Sequence, residues 1–410
     1  MNLNPVGWAS SSMRLVARLF NSGVNSTVPV TAISEAPIGV ANTDIALVAK
    51  GTGATLAQVP DGTAVSGDKR GIYATDWQKY RTNQVRVASG SYSFIGGGGN
   101  NIASGTYSVV CGGQDHTTGS SGANSFIGGG YSHAASASYS TIGGGSGNTT
   151  SSNYSFVGGG QSNTAQTNTH ATVCGGNSNV ASGQYSFIGG GSNCSATAYG
   201  SFCGGGNGNS ATAQYSAVVC GSSNYATATY SFTYGTNNSA DGTASSVLGG
   251  AYGRARGIVG YTVIPSCNAP IASSGGITQS AFLLLGRQTT NATATVLASN
   301  SSAADTTNQV ILPNNAAYSF SGEVIAGVTG GGDTARWTIN GAIKRGANAA
   351  STAMVGTPTV TMTHNDAGAA AWVVAVTADT TNGGIAVTVT GAAATTIRWV
   401  CNINTTEMTY

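Results

Sequence analysis

Thirteen acidic side chains, four histidines and seven cysteines are the groups here able to move protons, ligate metal or attack a carbonyl. Cleaving a glycosidic bond takes two carboxylates a few ångströms apart. Asp115 and Asp241 are the only acids between Ser91 and Gly253, too far apart along that stretch to meet. Asp305, Glu323, Asp333, Asp366, Asp379 and Glu407 follow later. Several sit beside turn residues, as in Gly332-Asp333 and Asn365-Asp366, which reads as turn or solvated loop. His116 and His133 recur at one position of a repeating unit. On a three-fold axis such a pair could hold a metal, and a solvent-facing or interface histidine is the plainer expectation. The cysteine count is odd and no CxxC pair occurs, so the thiols read as reduced and mostly buried. Gly96–Gly99 is followed by no Gly-Lys-Ser/Thr and is not a phosphate loop. No Ser-His-Asp or Cys-His constellation follows from spacing. No catalytic residue, cofactor or metal ligand is assigned, and the chain reads as a non-enzyme.

The element that must position these groups is a repeat. Tyr92-Ser93-Phe94-Ile95-Gly96-Gly97-Gly98 returns at Tyr107, Asn124, Tyr139, Tyr154, His170, Tyr185, Gly200, Tyr215, Tyr230 and Ser245. Its second half recurs more loosely as Asn-x-Ala-x-Gly, as in Asn101 to Gly105. The step is about 15 residues, too short for a crossover helix between parallel strands. It fits one coil of a β-solenoid: strand, Gly-rich corner, short strand, corner. Eleven such coils stacked at the strand spacing make a rod about 50 Å long, and the two longer steps, after Tyr107 and Tyr154, should bulge from corners.

Strand side chains alternate between faces. The fourth position carries Ile95, Ile127, Ile142, Val157 and Ile188 and, at the last copy, Leu248; it should fill the roll. The third carries Phe94, Phe126, Phe156, Phe187, Phe202 and Phe232 and should face outwards, although the two assignments could be exchanged. A soluble monomer avoids a line of exposed Phe. Either the stripe packs against other copies of the chain, or it lies on a covered face of a wider monomeric solenoid. The first reading makes the Phe residues a trimer interface.

Charged residues make up 7% of the chain and the net charge is +2. No Lys or Arg occurs between Ser91 and Gly253, which excludes nucleic acid as a partner of the repeat. Met1 to Ser12 holds no basic residue and Met13 to Phe20 is broken by Arg14 and Arg18, so no export signal is expected. No apolar run is long enough to span a membrane.

Segment 1–50 shows no repeat. Segment 51–90 is richer in charge and turns, 91–253 is the repeat region, and 254–276, with Pro265 and Pro270, reads as a linker. From 277 to 410 the period changes to two: Trp372, Val374 and Val376, then Ile385, Val387 and Val389, then Ile397, Trp399 and Cys401 alternate with other residues. With earlier candidates at Ala281–Leu285, Thr293–Leu297, Gln309–Leu312, Tyr318–Ile325, Ala335–Ile339 and Pro358–His364, this predicts a jelly-roll-like β-sandwich. The fold class is all-β: a trimeric parallel β-roll followed by that sandwich.

Tyr107-Ser108-Val109 and Ala181-Ser182-Gly183 show the two halves of a unit that resembles the left-handed β-roll head of trimeric autotransporter adhesins. That head repeat is usually one residue shorter. Gly51-Thr52-Gly53 through Pro60-Asp61-Gly62, Lys69-Arg70-Gly71 and Asp76-Trp77-Gln78 resemble the connector before the GGG repeats of bacteriophage tail-fibre proteins. Asn308-Gln309-Val310-Ile311-Leu312-Pro313 and Asp379-Thr380-Thr381-Asn382-Gly383 are similar to the C-terminal module of such fibres.

The resemblance implies a homotrimeric virion appendage assembled in the host cytoplasm. Segment 1–50 would dock on tail or baseplate proteins and the roll would act as a spacer. The sandwich would hold a host glycan or other surface receptor, with Asp333, His364, Asn365 and Asp366 in loops 328–333 and 363–368 as candidates. A glycan hydrolase and a cellular trimeric adhesin are the rival expectations.

Overall fold

The structure is a computed structural model that describes residues 54–58, 60–267 and 270–410; the proposed docking segment 1–50 lies outside the described residues. Each repeat unit closes one coil. Its two strands span two residues each, Phe94–Ile95 and Ile102–Ala103 in the first copy. Strands this short hold only because each pairs in parallel with the same positions one coil on, Phe94 with Val109, Ile95 with Val110 and Ile102 with Thr117. The second strands form a ten-stranded parallel sheet from Ile102–Ala103 to Ser239–Ala240. The first strands build a ladder on another face, and single bridges such as Gly99 to Gln114 stack along a third line.

The corner before each first strand is a tight turn. Ser93 N–H donates to Gly90 O at 3.2 Å, and Tyr92 between them adopts φ +58°. Positive φ is costly for a bulky residue. Here the same strain recurs at Tyr107, Tyr139, Tyr154, Tyr185, Tyr215 and Tyr230, so the coil over-determines it. The Tyr107 N–H donates to Ser91 O at 2.9 Å, and neighbouring rings stack, Tyr92 on Tyr107 at 4.8 Å and Tyr139 on Tyr154 at 4.9 Å. The Ser that follows is buried, and at Ser93, Ser140, Ser155, Ser201 and Ser216 its Oγ donates to the turn, to Ala137 O at 2.8 Å in the case of Ser140. Where Gly200 takes the strained position, the ring comes from Tyr199 and meets Tyr185 and Tyr215 edge-on.

The interior is narrow. Ile95, Ile127, Ile142, Val157 and Ile188 are fully buried, so the fourth position faces inwards and the third outwards. Opposite them stand small residues of the second strand, Ala103, Ala135, Ala165 and Ala181. The corner is filled by a ladder of buried amides. Asn163 Oδ1 accepts from Asn179 N–H at 3.0 Å, and its Nδ2 donates to Gly159 O at 2.9 Å and to Gly176 O, in the next coil, at 2.8 Å. A buried amide that satisfies backbone groups of two coils removes the desolvation cost each would carry alone. The extra residues of the longer steps fall in the corner after the second strand, at Gly119–Gly122 and Gln166–Thr169, as the repeat predicts.

The roll runs past both boundaries drawn from the sequence. Upstream, Thr55 and Leu56 pair with Thr75 and Asp76, which pair with Phe94 and Ile95, so part of the connector is already coiled. Asp76 takes the place of Ile in the core. It is buried between Arg70 at 2.8 Å and Arg81 at 3.1 Å, and Ala88 N–H also points at it. Downstream, the linker is coiled as well: Thr262–Pro265 continues the parallel ladder through Ser246 to Thr262 and Val247 to Val263, and Ala255, Ile258, Tyr261 and Val263 are buried. The register there needs correction. Thr233 pairs with Val247, and Val247 is the buried residue; Leu248 is not. The glycine corner at Tyr234-Gly235 is one residue short, so the last copy begins at Ala244, whose φ of +55° marks the turn.

Thr262–Pro265 then pairs antiparallel with Thr278–Thr289 and carries the sheet into the C-terminal sandwich. In the larger layer Ile397–Thr409 lies between Thr278–Thr289 and Ala316–Val328, and Thr334–Arg345 and Thr359–Asn365 follow outwards. The smaller layer sets Gly384–Thr390 between Val373–Asp379 on one side and Thr295–Val296 and Val310–Ile311 on the other. Every strand expected from the period-two pattern is present. Trp337, Trp372 and Trp399 are all buried between the layers, with ring centroids 5.7 Å apart for Trp337–Trp399 and Trp372–Trp399. A buried cluster closes the junction. Glu407 meets Arg256, Tyr261 and Gln279, with Gln279 Nε2 at 2.7 Å.

Candidate functional site

Two surfaces stand out. The first is the third-position stripe of the roll. Phe94, Phe126, Phe156 and Phe202 are between 36% and 40% exposed and Phe187 and Phe232 are half-buried, all on the outward side of one ladder. Phe187 and Phe202 stack at 5.5 Å. The stripe follows from the two-residue strand: with the fourth side chain inside, the third has nowhere to go but out. Its period is that of the coils, so a surface that matches it along its length must carry the same period.

The second is at the edge of the sandwich. The structure brings loops 328–333 and 363–368 together. Asp366 Oδ2 accepts from Thr334 N–H at 2.8 Å, and Asp333 Oδ1 accepts from Gly368 N–H at 3.3 Å, so each aspartate pins the other loop. His364, Asn365 and Asp366 line a shallow depression of about 580 Å³ with Ile325, Thr334 and Arg336. Asp333 sits beside it through its contact with Gly368. The ion pair Glu323–Arg336 crosses the adjoining open face of the larger layer. Sequence reasoning named Glu323 only among the acids and passed over Arg336; their alternation with buried Val324 and Trp337 could have placed them on that outward face.

The groups able to do chemistry are each held locally. Asp305 accepts from Thr307 N–H and Oγ1, both at 2.7 Å, and those contacts keep its carboxyl below the usual range. Asp379 is partly buried, which opposes ionisation, yet hydrogen bonds from Asn382 and Gln309 hold it low as well. Glu323 pairs with Arg336, and Glu407 lies in the junction cluster. In the roll, Asp115 is 3.8 Å from Arg86, and Asp241 accepts from Gly257 N–H at 2.9 Å.

His116 and His133 are not on the surface, as the sequence reading had them. They are buried rungs of the amide ladder. His116 Nδ1 accepts from His133 N–H at 3.2 Å and His133 Nδ1 from Asn148 N–H at 3.0 Å, the part played elsewhere by Asn Oδ1. The proton therefore resides on Nε2, and the rings stack at 5.0 Å. Burial pushes His116 down to about 4, helped by its neighbour His133, and lowers His133 too. Among the described residues no group of three or more His, Cys, Asp or Glu could hold a metal. The cysteines also depart from expectation: Cys111, Cys174, Cys220 and Cys267 are exposed, and Cys194, Cys203 and Cys401 are buried. Cys111 and Cys174 replace the Gly after the inward residue and so point out of the roll.

No protein-family model and no curated protein matches the chain. Among solved structures, the tailspike protein of Acinetobacter baumannii phage AM24 aligns over 86% of this chain and 69% of its own, at 9% identity and a TM-score of 0.24, a likeness too loose to carry an argument.

Proposed function

We propose that this chain is a bacteriophage tail fibre or related virion appendage, homotrimeric, that attaches the particle to a host cell and catalyses no reaction. The observation that carries the reading is the exposed Phe stripe on a neutral roll that ends in a sandwich with clamped polar loops. Burying the stripe asks for a partner of equal period, and further copies of the chain supply it. The roll then serves as a spacer. The depression beside Asp333, His364, Asn365 and Asp366 contacts the receptor, a surface glycan, with three copies acting together. The N-terminal segment joins tail or baseplate proteins, and assembly takes place in the host cytoplasm.

Binding of fluorescent full-length protein to a panel of bacterial cells tests this reading, alongside the double variant Asp333→Ala, Asp366→Ala. Cell binding that the variant loses while its melting stays within a few degrees supports the assignment. Equal binding by both proteins places recognition elsewhere. Release of reducing sugar from cell polysaccharide would make the chain a depolymerase.

A further inference from the structure

The first-strand ladder of the roll and the larger layer of the sandwich are one sheet, and they share one outer face. Residues paired across a ladder point to the same side. From Phe232 the registered pairs run to Ser246, to Thr262 and, across the antiparallel step, to Phe282. The inner row makes the same passage, from Thr233 through Val247 and Val263 to Ala281, all buried. The outer row of the roll, which carries the Phe stripe, therefore continues onto the sandwich without changing sides.

It meets further apolar residues there. Phe282 and Leu284 stand on Thr278–Thr289, Val400 stands on Ile397–Thr409, and Ile325 stands opposite Val400 on Ala316–Val328. With Ile264 at the end of the roll, they are between 37% and 56% exposed. Leu284, Val400 and Ile325 line one shallow hollow of about 320 Å³. Among the described residues, the four strands of the smaller layer expose one large apolar side chain, Val373.

Area indicates what covers this face. The six Phe rings of the roll leave roughly 400 Å² open, and the five sandwich residues roughly 400 Å² more, a size that marks a contact surface. A chain in a three-fold bundle meets two neighbours and needs about 1,600 Å² for both contacts, of which roughly 900 Å² is apolar. The stripe supplies less than half of that, and stripe and sandwich face together come close to it. A copy seated on the stripe is led by the same sheet onto this face.

We propose that the open face of the larger sandwich layer, from Phe282 to Ile325, packs against a second copy of the chain, and that the receptor depression thereby lies on a boundary between two chains. The inference rests on the three-chain reading given above. Ile325 carries its second part, since it lines the apolar hollow on one side and the depression with Arg336 and His364 on the other. Strand order sets the distance from the seam. Thr278–Thr289 adjoins the roll, and Thr359–Asn365 is the far edge, two strands beyond Ala316–Val328. A copy seated on Leu284, Val400 and Ile325 therefore walls the depression without filling it, and turns a shallow hollow into a cleft.

The test places the photoreactive residue p-benzoylphenylalanine at the position of Leu284, Ile325 or Val373 in the full chain. All three sites are exposed in a single chain, so its fold tolerates the change. Each purified protein is weighed by light scattering, irradiated at dilution and run on a denaturing gel. The proposal predicts chain-to-chain products from the positions of Leu284 and Ile325 and none from that of Val373. Leu284→Lys with Val400→Lys should lower the melting temperature of the assembly by several degrees, and Val373→Lys should leave it unchanged. Single chains alone from the position of Leu284, in a protein of three-chain mass, overturn the contact and leave the seam along the roll standing. Products from the position of Leu284 but none from that of Ile325 overturn the boundary site. A mass of one chain before irradiation overturns the three-chain reading, and this inference with it.

Discussion

The buried histidines give the roll an acid sensitivity that its asparagine rungs lack. Consider the double variant His116→Asn, His133→Asn. Both residues are neutral in the fold because burial disfavours their charged form, and His116 is brought down to about 4. In the unfolded chain they protonate near the ordinary histidine value, about 6.5. The folded value is the lower one, so the unfolded chain gains protons first as pH falls. The stabilisation is complete above about pH 6.5, shrinks as pH drops, and is gone once pH passes below the folded value. For His116 the gap between 6.5 and about 4 corresponds to on the order of 3 kcal/mol.

Asparagine supplies the same acceptor without titrating, as Asn148 does in the next rung, and its Nδ2 donates to backbone carbonyls where the buried histidine Nε2 atoms have no partner. Any difference in stability between wild type and variant at about pH 7.5, where neither histidine is charged, is the reference for the comparison. At about pH 4.5 wild type should be destabilised by roughly 2–3 kcal/mol more than the variant, for His116 alone. Every other titratable group is common to both chains and cancels in the comparison. Melting curves that fall in parallel with pH would refute the assignment of these side chains to the ladder.

The Phe stripe gives a second test: Phe126→Ser, Phe156→Ser and Phe187→Ser together should dissociate the assembly at dilution while strand content by circular dichroism stays constant. At 37% and 40% exposure, Phe126 and Phe156 each offer roughly 75 Å² to a partner, or about 2 kcal/mol per ring. Unchanged melting of the assembly would count against an interfacial stripe. A third test contrasts neighbouring glycines. Gly145 has φ +92° and a Cβ there would lie 2.0 Å from Gly160 O, whereas one on Gly144 would meet nothing nearer than 3.8 Å. Gly145→Ala should cost several kcal/mol and Gly144→Ala under about 1 kcal/mol; equal melting temperatures would show that the corner is not close-packed.

Where the sequence was legible, a period carried the information. The 15-residue step marks the coils because every rung repeats the same contacts, and the alternation around Trp372, Ile385 and Trp399 marks strands because each has one buried face. Three things escaped. Asp76 in a core position could not be read as part of the roll, since a carboxylate belongs there only with Arg70 and Arg81 folded over it, and nothing local announces that. The histidines looked like surface residues because the amide ladder is a relation between coils: His116 resembles Asn101 only once Nδ1 is seen to accept the next backbone N–H. The register near Leu248 slipped because a corner one residue short at Tyr234-Gly235 leaves the glycine signature intact. In the sandwich, loops 328–333 and 363–368 could be nominated from their turn residues, but their meeting depends on the pairing of Thr334–Arg345 with Thr359–Asn365.

The most direct test of the account is the mass of the purified full-length protein in solution, by light scattering coupled to size exclusion. If the outward Phe ladder is the seam of a three-chain fibre, the mass is about three times the 40.5 kDa chain and persists on dilution. A stable, soluble species at the mass of one chain would mean that the stripe is tolerated in water, and the fibre reading would fall with it.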